Sequence, residues 1–178
     1  MVTLIIGVPD SGKSILAEGL AVKYAGKHRK YYIATMVAFD EKGRNRIEKH
    51  RNLRKGKGFY TLECPVDVHS VTDSIVGDAT VLLECMSNLI GNEIYAEKNR
   101  GKSSQELQEE ILTEIRKLRD GCENLVIVTN EFPLQDSTYD NETRYYVSMI
   151  HEINLGLREL SQEIYEYTEG EWIRHEIH

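Results

Sequence analysis

The octapeptide G-V-P-D-S-G-K-S at residues 7–14 constrains the fold more than any other part of this sequence. It fits the pattern G-x-x-x-x-G-K-[S/T], follows an apolar run and precedes a helical pattern. Two glycines let the backbone wrap closely around a phosphate, and exposed amides at the start of the helix attract its negative charge. We therefore predict a nucleotide-binding P-loop in which Lys13 neutralises the β- and γ-phosphates and Ser14 holds Mg²⁺.

Apolar strand patterns alternate with helical patterns along the rest of the chain. Predicted strands cover residues 3–7, 31–35, 59–63, 79–85 and 125–129, and predicted helices cover residues 14–24, 40–55, 67–76, 89–99, 103–119 and 140–163. The first helix has possible buried positions at Ile15, Leu16, Leu20 and Ala21, and the chain from residue 164 onward reads as a hairpin that turns near Gly170. Continuous apolar strands between helices are typical of a parallel sheet covered on both faces. We predict one α/β domain over residues 1–178, with the mostly parallel sheet of a RecA-like P-loop NTPase and a C-terminal hairpin.

Composition narrows the function classes. The net charge of −7 argues against general nucleic-acid binding. No segment is apolar for long enough to span a bilayer, and the first residues do not form a signal peptide. The three cysteines are scattered, which favours reduced thiols over disulfides or a zinc site. We therefore expect a cytoplasmic protein that binds neither membranes nor nucleic acid.

A strongly basic stretch interrupts this acidic chain. Residues 42–57 contain eight Lys or Arg residues and a single acid, Glu48, and Asp40 is a plausible N-cap for the helix that carries them. Such a run is either a solvated helix face or a surface that binds a polyanion such as phosphate. His50 lies within it, flanked by lysine and arginine. A lone exposed histidine usually has no catalytic role, so this pattern alone does not assign one.

A P-loop enzyme needs a carboxylate near its metal ion, usually at the end of a neighbouring strand. Glu84 ends the run V-L-L-E, and Glu131 follows the run V-I-V-T-N. Either acid could simply end a strand at the surface, but ligands of open α/β sheets bind outside the carboxyl ends of the strands. We favour Glu84 as the acid on the Mg²⁺ side, because its strand is the more apolar and continuous one.

The motifs that follow the P-loop occur in a distinctive order. They are Y-I-A-T at 32–35, R-I-E-K-H-R at 46–51, L-L-E-C-M-S-N-L-I-G-N at 82–92, V-T-N-E at 128–131, N-E-T-R-Y-Y at 141–146 and I-N-L-G-L at 153–157. Their order and spacing resemble the adenosylcobinamide kinase / adenosylcobinamide-phosphate guanylyltransferase family of cobalamin biosynthesis. No single motif after the P-loop is specific, but their collinear order is, and the resemblance extends to about Thr168.

The resemblance implies a bifunctional enzyme. One reaction phosphorylates the aminopropanol hydroxyl of adenosylcobinamide with ATP or GTP, and the other joins GMP from GTP to that phosphate and releases pyrophosphate. In the family, the histidine of the R-I-x-x-H motif carries GMP covalently, and that position here is His50. Family members are typically trimeric, which implies a homo-oligomer. Together, the motifs and the resemblance predict His50 and Lys13 as catalytic residues, Ser14 and Glu84 as Mg²⁺ ligands, and a nucleotide site formed by Gly7, Val8, Pro9, Asp10, Ser11, Gly12, Lys13, Ser14, Ala34, Thr35, Arg46, Arg51, Arg54, Glu63 and Glu84.

The chemistry of guanylyl transfer suits His50. A neutral imidazole is both a nucleophile and a tolerable leaving group near physiological pH. On a helix, Arg46, His50 and Arg54 recur every four residues and share one face. The two guanidinium groups could hold the triphosphate and disfavour protonation of the histidine. One nucleotide pocket serves both reactions only if the helix that carries His50 lies over the P-loop.

Three segments depart from the family pattern. The family often has Arg where this chain has Asp10, and a glycine- and valine-rich stretch where this chain has Phe132-Pro133 and a polar loop. The family also has an apolar ending where this chain has residues 169–178. A member that retains one activity, a P-loop kinase for another small molecule in which His50 is inert, and a nucleotide-gated binding module are therefore alternative interpretations.

Overall fold

The structure, a computed structural model, describes residues 1–177. Within these residues, seven strands and five α-helices follow one another as β1 Val2–Gly7, α1 Lys13–Ala25, β2 Lys30–Ala34, α2 Glu41–Arg54, β3 Phe59–Glu63, β4 Thr80–Glu84, α3 Met86–Tyr95, α4 Ser104–Asp120, β5 Asn124–Asn130, α5 Asn141–Leu160, β6 Glu163–Thr168 and β7 Glu171–Glu176. Short 3₁₀ helices lie at Val68–Ser74 and Glu97–Asn99.

The strands form one sheet in the order β3-β2-β4-β5-β1-β6-β7. Neighbouring strands run parallel except β6 and β7, which pair antiparallel across a turn at Glu169 and Gly170. Gly170 has a φ of +88°, a conformation that glycine adopts without strain. The predicted α/β fold with a mostly parallel sheet and a C-terminal hairpin is confirmed.

Two apolar cores enclose the sheet, one on each face. Alternate residues of β1 point in opposite directions, so Leu4 and Ile6 join the large core shared with α3, α4 and α5, whereas Ile5 joins the smaller core under α1. Within the described residues, α2 contributes to neither core, and its only buried residues are Gly43 and Arg54. Polar contacts must therefore hold α2 in place.

Helix starts agree with the expected capping chemistry. The side chain of Asp40 accepts a hydrogen bond from the backbone N–H of Gly43 at 2.7 Å, which confirms it as the N-cap of α2. Ser103 and Glu106 form a reciprocal capping box at the start of α4. Among residues 1–177, no helix has the length and apolar character needed to cross a membrane.

Four predicted details differ from the structure. The helix predicted at 140–163 ends at Leu160, because the following residues pair with β1 as β6. The helix predicted at 89–99 already begins at Met86 and ends at Tyr95, and the one predicted at 67–76 is a 3₁₀ helix. Ile15 is 67% exposed, because the first turn of α1 borders the open edge of the sheet.

Candidate functional site

The carboxyl ends of the parallel strands place distant parts of the chain side by side. Ala34 at the end of β2 is in register with Glu63 of β3 on one side and Glu84 of β4 on the other, and Gly7 of β1 is in register with Asn130 of β5. A cavity of about 540 Å³ opens above this edge, a size suited to a nucleotide. It lies in the crevice where open α/β sheets bind ligands.

The P-loop forms one wall of the cavity. Gly12 has a φ of +85°, and Asp10 also takes the left-handed conformation at +61°, which aspartate tolerates better than most residues. The ammonium of Lys13 donates to the carbonyl of Val8 at 2.5 Å, so it is folded back onto the loop. Burial lowers the pKa of Lys13 more than the nearby negative charges raise it. The wall therefore presents a partly desolvated cation to an anion.

Gly7 is constrained by packing as well as by phosphate binding. A Cβ at this position would lie 2.8 Å from Oγ of Ser11 and 3.2 Å from the side chains of Tyr167 and Trp172. The C-terminal hairpin thus packs directly behind the start of the loop. An alanine at this position would push against both the loop and the hairpin.

Helix α2 forms the opposite wall and is fastened by polar contacts. The Arg54 guanidinium lies 3.5 Å from the centroid of the Tyr32 ring, a cation–π contact with a buried aromatic residue. Just beyond the helix, Lys57 Nζ lies 2.6 Å from a carboxylate oxygen of Glu18, which is fully buried on α1. These contacts hold the helix beside the P-loop.

His50 lies on α2 where the helix faces Glu84. Its Nδ1 is 2.6 Å from Oε1 of Glu84, although no hydrogen bond of regular geometry joins the two groups. The Tyr32 hydroxyl donates to the same oxygen at 2.9 Å. Burial raises the pKa of Glu84, but contacts with His50, Tyr32 and Ser14 outweigh it and hold the pKa below its usual value. Glu84 is therefore a buried carboxylate that touches the predicted nucleophile.

The residues next to Glu84 fit a magnesium ion. Its second oxygen, Oε2, is buried and has no hydrogen-bond partner among the described residues. The Ser14 hydroxyl lies close enough to lower the pKa of the carboxyl. Two hard oxygen donors beside a phosphate-binding loop are the ligands that Mg²⁺ prefers. Glu131, the alternative acid, lies 3.5 Å from Arg158 and does not line the cavity.

Most of the predicted site residues lie around this one cavity. Its lining includes, from the predicted set, Pro9, Asp10, Ser11, Gly12, Lys13, Ser14, Ala34, Arg46, His50, Arg51, Arg54, Glu63 and Glu84. Gly7, Val8 and Thr35 do not line it. The Thr35 hydroxyl instead donates to the Cys85 carbonyl and accepts from the Cys85 amide, both at 2.8 Å, and so braces two strand ends. Arg54 packs on Tyr32, and Arg51 lies 3.4 Å from Glu63.

Several lining residues were not predicted from the sequence. Tyr32, Asn130 and Tyr146 line the cavity, although the sequence predicted no role for them there. Oδ1 of Asn130 is buried and has no hydrogen-bond partner among the described residues, so it is available to a ligand. In the sequence, Tyr32 stands out only as an aromatic residue with a polar hydroxyl in the apolar strand pattern K-Y-Y-I-A. This pattern does not say which strand lies next to β2.

A second charged cluster lies outside this cavity. Ligand atoms of Asp67, His69 and Glu114 all lie within 4.8 Å of one another, a spacing compatible with a metal ion. Lys98 supplies a cation there instead, since its ammonium contacts Asp67 and lies 3.1 Å from Glu93 and 3.9 Å from Glu114. The cluster is therefore an internal ion-pair network.

Comparisons with known proteins agree with this geometry. The family described as "Cobinamide kinase / cobinamide phosphate guanyltransferase" matches residues 3–174. The chain is 26% identical, over 96% of its length and 97% of the relative's, to "Bifunctional adenosylcobalamin biosynthesis protein CobU" of Salmonella typhimurium. Among solved structures, an ATPase domain superposes with a TM-score of 0.57 at 8% identity, covering 94% of this chain and 69% of that one, which supports the P-loop NTPase fold alone. With the match extending over nearly all of its length, this chain belongs to the cobinamide kinase / cobinamide phosphate guanyltransferase family.

Proposed function

We propose that this chain performs both reactions in its family's description, phosphorylation of adenosylcobinamide and guanylyl transfer to adenosylcobinamide phosphate, at one nucleotide site. One observation carries the proposal: the P-loop and His50 line the same cavity, and Glu84 lies between them, in contact with His50 and beside Ser14. A histidine that lines the cavity of the P-loop can react with a bound triphosphate, whereas a histidine elsewhere on a basic helix cannot.

In the kinase reaction, the chain positions the triphosphate and neutralises its charge. The P-loop amides hold the phosphates, and Lys13 leaves the Val8 carbonyl to contact the β- and γ-phosphates. Ser14 and Glu84 would hold Mg²⁺, which when bound shields the phosphate charge. The corrinoid hydroxyl then attacks the γ-phosphorus, and the nucleoside diphosphate leaves.

In the guanylyl transfer, His50 attacks the α-phosphorus of GTP. A nitrogen–phosphorus bond forms, the bond to the β-phosphate oxygen breaks, and pyrophosphate leaves. A phosphate oxygen of adenosylcobinamide phosphate then attacks the same phosphorus and releases the histidine. Arg46 and Arg51, which line the cavity, supply positive charge for the leaving pyrophosphate.

The test uses GTP labelled at either the α- or the γ-phosphate. The α-label should become attached to the protein in an acid-labile, base-stable form, and His50→Ala should abolish it. The γ-label should still pass to adenosylcobinamide in His50→Ala, because the kinase reaction does not use the histidine. His28→Ala, which replaces an exposed histidine after α1, is the matched control and should retain both reactions.

The alternatives predict different outcomes. Transfer of the γ-label to the corrinoid without any α-labelling of the protein would leave a phosphorylating enzyme only. Transfer of neither label, with intact nucleotide binding, would indicate a nucleotide-gated binding module and refute the proposal. The resemblance also supports a cytoplasmic homotrimer, and light scattering coupled to size-exclusion chromatography tests the trimer.

A further inference from the structure

The two carboxylate oxygens of Glu84 have different surroundings. Oε1 lies 2.6 Å from Nδ1 of His50 and accepts the Tyr32 hydroxyl at 2.9 Å. Oε2 is buried without a hydrogen-bond partner among the described residues, and the Ser14 hydroxyl lies near the carboxylate. One oxygen of the carboxylate therefore contacts His50 and Tyr32, while the other is left without a hydrogen-bond partner among the described residues.

The contact distinguishes the two nitrogens of the imidazole. A nitrogen 2.6 Å from a carboxylate oxygen is the one that carries a proton, since two lone pairs at that distance repel each other. The geometry departs from that of a regular hydrogen bond, but the contact still lowers the pKa of the Glu84 carboxyl, as a proton donor does. In a neutral imidazole the other nitrogen, Nε2, then holds the free lone pair, and the ring lines the nucleotide cavity.

The Glu84 carboxylate is itself held in place by Tyr32, which in turn is held by Arg54. Tyr32 is buried on β2, the strand next to β4, and Arg54 covers its ring at 3.5 Å. Because Arg54 lies one helical turn after His50 on the same face of α2, the helix that presents the histidine also fixes the tyrosine that fixes Glu84. The orientation of the imidazole is therefore set by side chains of the protein itself.

We propose that Glu84 is a positioning residue for guanylyl transfer, which holds Nδ1–H of His50 and so makes Nε2 the atom that receives GMP. This inference rests on the proposed function, because it requires that His50 carries GMP. It adds to the proposed function that Nε2 is the atom of His50 that reacts and that Glu84 selects this atom.

The atoms and electrons of the transfer balance with His50, Glu84 and the two substrates alone. The Nε2 lone pair forms the bond to the α-phosphorus, and the electrons of the broken phosphorus–oxygen bond leave with pyrophosphate. The ring keeps its Nδ1 proton and becomes positively charged, and the Glu84 carboxylate offsets that charge. When adenosylcobinamide phosphate attacks the phosphorus, the electrons of the nitrogen–phosphorus bond return to Nε2 and the imidazole is neutral again.

The first experiment identifies the labelled nitrogen. Protein guanylylated with α-labelled GTP is treated with periodate and base to remove the guanosine, digested in alkali, and compared with the two phosphohistidine isomers. We expect the label on Nε2. Label on Nδ1 would overturn the inference and leave the proposed function intact, whereas absence of label would overturn the proposed function.

The second experiment separates positioning from a general role of Glu84 at the nucleotide site. In Glu84→Gln and Glu84→Ala, guanylylation should fall on the order of a hundredfold more than γ-phosphate transfer to adenosylcobinamide, because only guanylylation needs a carboxylate to offset the positive charge of the guanylylated histidine. Glu84→Ala should also place residual label on both nitrogens, while Glu84→Gln, whose amide oxygen still accepts from Nδ1–H, should keep it on Nε2. Glu48→Gln, an exposed carboxylate on the same helix, is the matched control and should change neither rate. Equal losses in both reactions for Glu84→Gln would contradict the positioning role.

Discussion

At the scale of single residues, the candidate site depends on buried polar groups that satisfy one another. Tyr32 is 3% exposed, its hydroxyl donates to Glu84, and its ring supports Arg54. Burial raises the pKa of the Tyr32 hydroxyl, and the Glu84 carboxylate raises it further, so the group is a permanent donor. Tyr32 thus links α2 to the carboxylate at the end of β4.

Replacing Tyr32 by Phe tests this role. The variant keeps the ring but leaves the buried Glu84 carboxylate with one partner fewer, so the free energy of unfolding should fall by about 1–3 kcal/mol. Chemical denaturation measures this loss. Tyr60→Phe, at a position 57% exposed on β3, is the control and should change the free energy of unfolding by less than about 0.5 kcal/mol. Equal stability of the two variants would mean that the Tyr32 hydroxyl contributes nothing.

Residue patterns in the sequence predicted the P-loop and Glu84 as parts of the site, and the family resemblance added His50. Residues 9–14 could be placed around a phosphate because the P-loop is contiguous and its glycines and lysine act through nearby backbone. Tyr32 and Asn130 could not be placed, because their roles depend on β2 lying next to β4 and β5 next to β1, and no sequence pattern reports strand order. Arg54 was assigned to the triphosphate, and it lines the cavity while its guanidinium also packs on the Tyr32 ring.

At the scale of secondary-structure elements, one carboxylate fastens the C-terminal hairpin to the first helix. The Tyr24 hydroxyl of α1 donates to Oε2 of Glu163 at 2.5 Å, and Arg174 of β7 donates to Oε1. Burial raises the pKa of Glu163, but these two donors outweigh it and hold the pKa below its usual value of 4.5. Three elements therefore share one ionised group.

The lowered pKa of Glu163 predicts a pH dependence of stability. A carboxyl whose pKa is lower in the folded state stabilises the protein above its unfolded pKa, and this contribution disappears as the pH falls through the folded pKa. Glu163→Gln should therefore lower the free energy of unfolding by about 1 kcal/mol at neutral pH. The difference from the unmodified protein should shrink as the pH falls below 4.5.

Urea denaturation at a series of pH values measures that difference. Glu171→Gln, at an exposed position on β7, is the control and should show little effect at any pH. A difference between Glu163→Gln and the unmodified protein that grows as the pH falls would reverse the expected sign and contradict the assignment.

The elements themselves were largely predictable, and the exceptions have a physical cause. The alternation of apolar strands and helices, together with the P-loop, predicted the parallel sheet correctly. The helix predicted at 140–163 was too long, because Gln162 and Glu163 carry no stop signal of their own. What ends the helix there is pairing of Glu163–Thr168 with β1, a contact between the two ends of the chain.

At the scale of the whole molecule, the hairpin connects the end of the chain to the nucleotide site. Trp172 is the single tryptophan of the sequence, and its ring packs where the P-loop begins at Gly7. It also lies edge-on to Tyr167, with ring centroids 5.2 Å apart. Movement of the loop must therefore change the surroundings of this indole.

Trp172 fluorescence should report nucleotide binding. Saturating GTP should change the emission intensity or wavelength, because the loop amides and Lys13 rearrange around the phosphates. Titration calorimetry on the same samples confirms that the site is filled. Lys13→Ala should weaken both signals together, and Trp172→Phe should bind GTP without an optical change. Unchanged emission at full occupancy would mean that nucleotide binding at the P-loop does not change the surroundings of Trp172.

The strand order has a consequence for synthesis of the protein. β1 is made first, yet both of its neighbours come late, since Val2 pairs with Leu125 of β5 and Thr3 with Glu163 of β6. At about 5–20 residues per second, β1 waits roughly 6 to 25 seconds for its first partner. During that interval the apolar segment 2–6 and the phosphate loop after it have no sheet to join. A growing chain therefore cannot complete the nucleotide site until β5 has been translated, and until then the apolar segment 2–6 is exposed to aggregation.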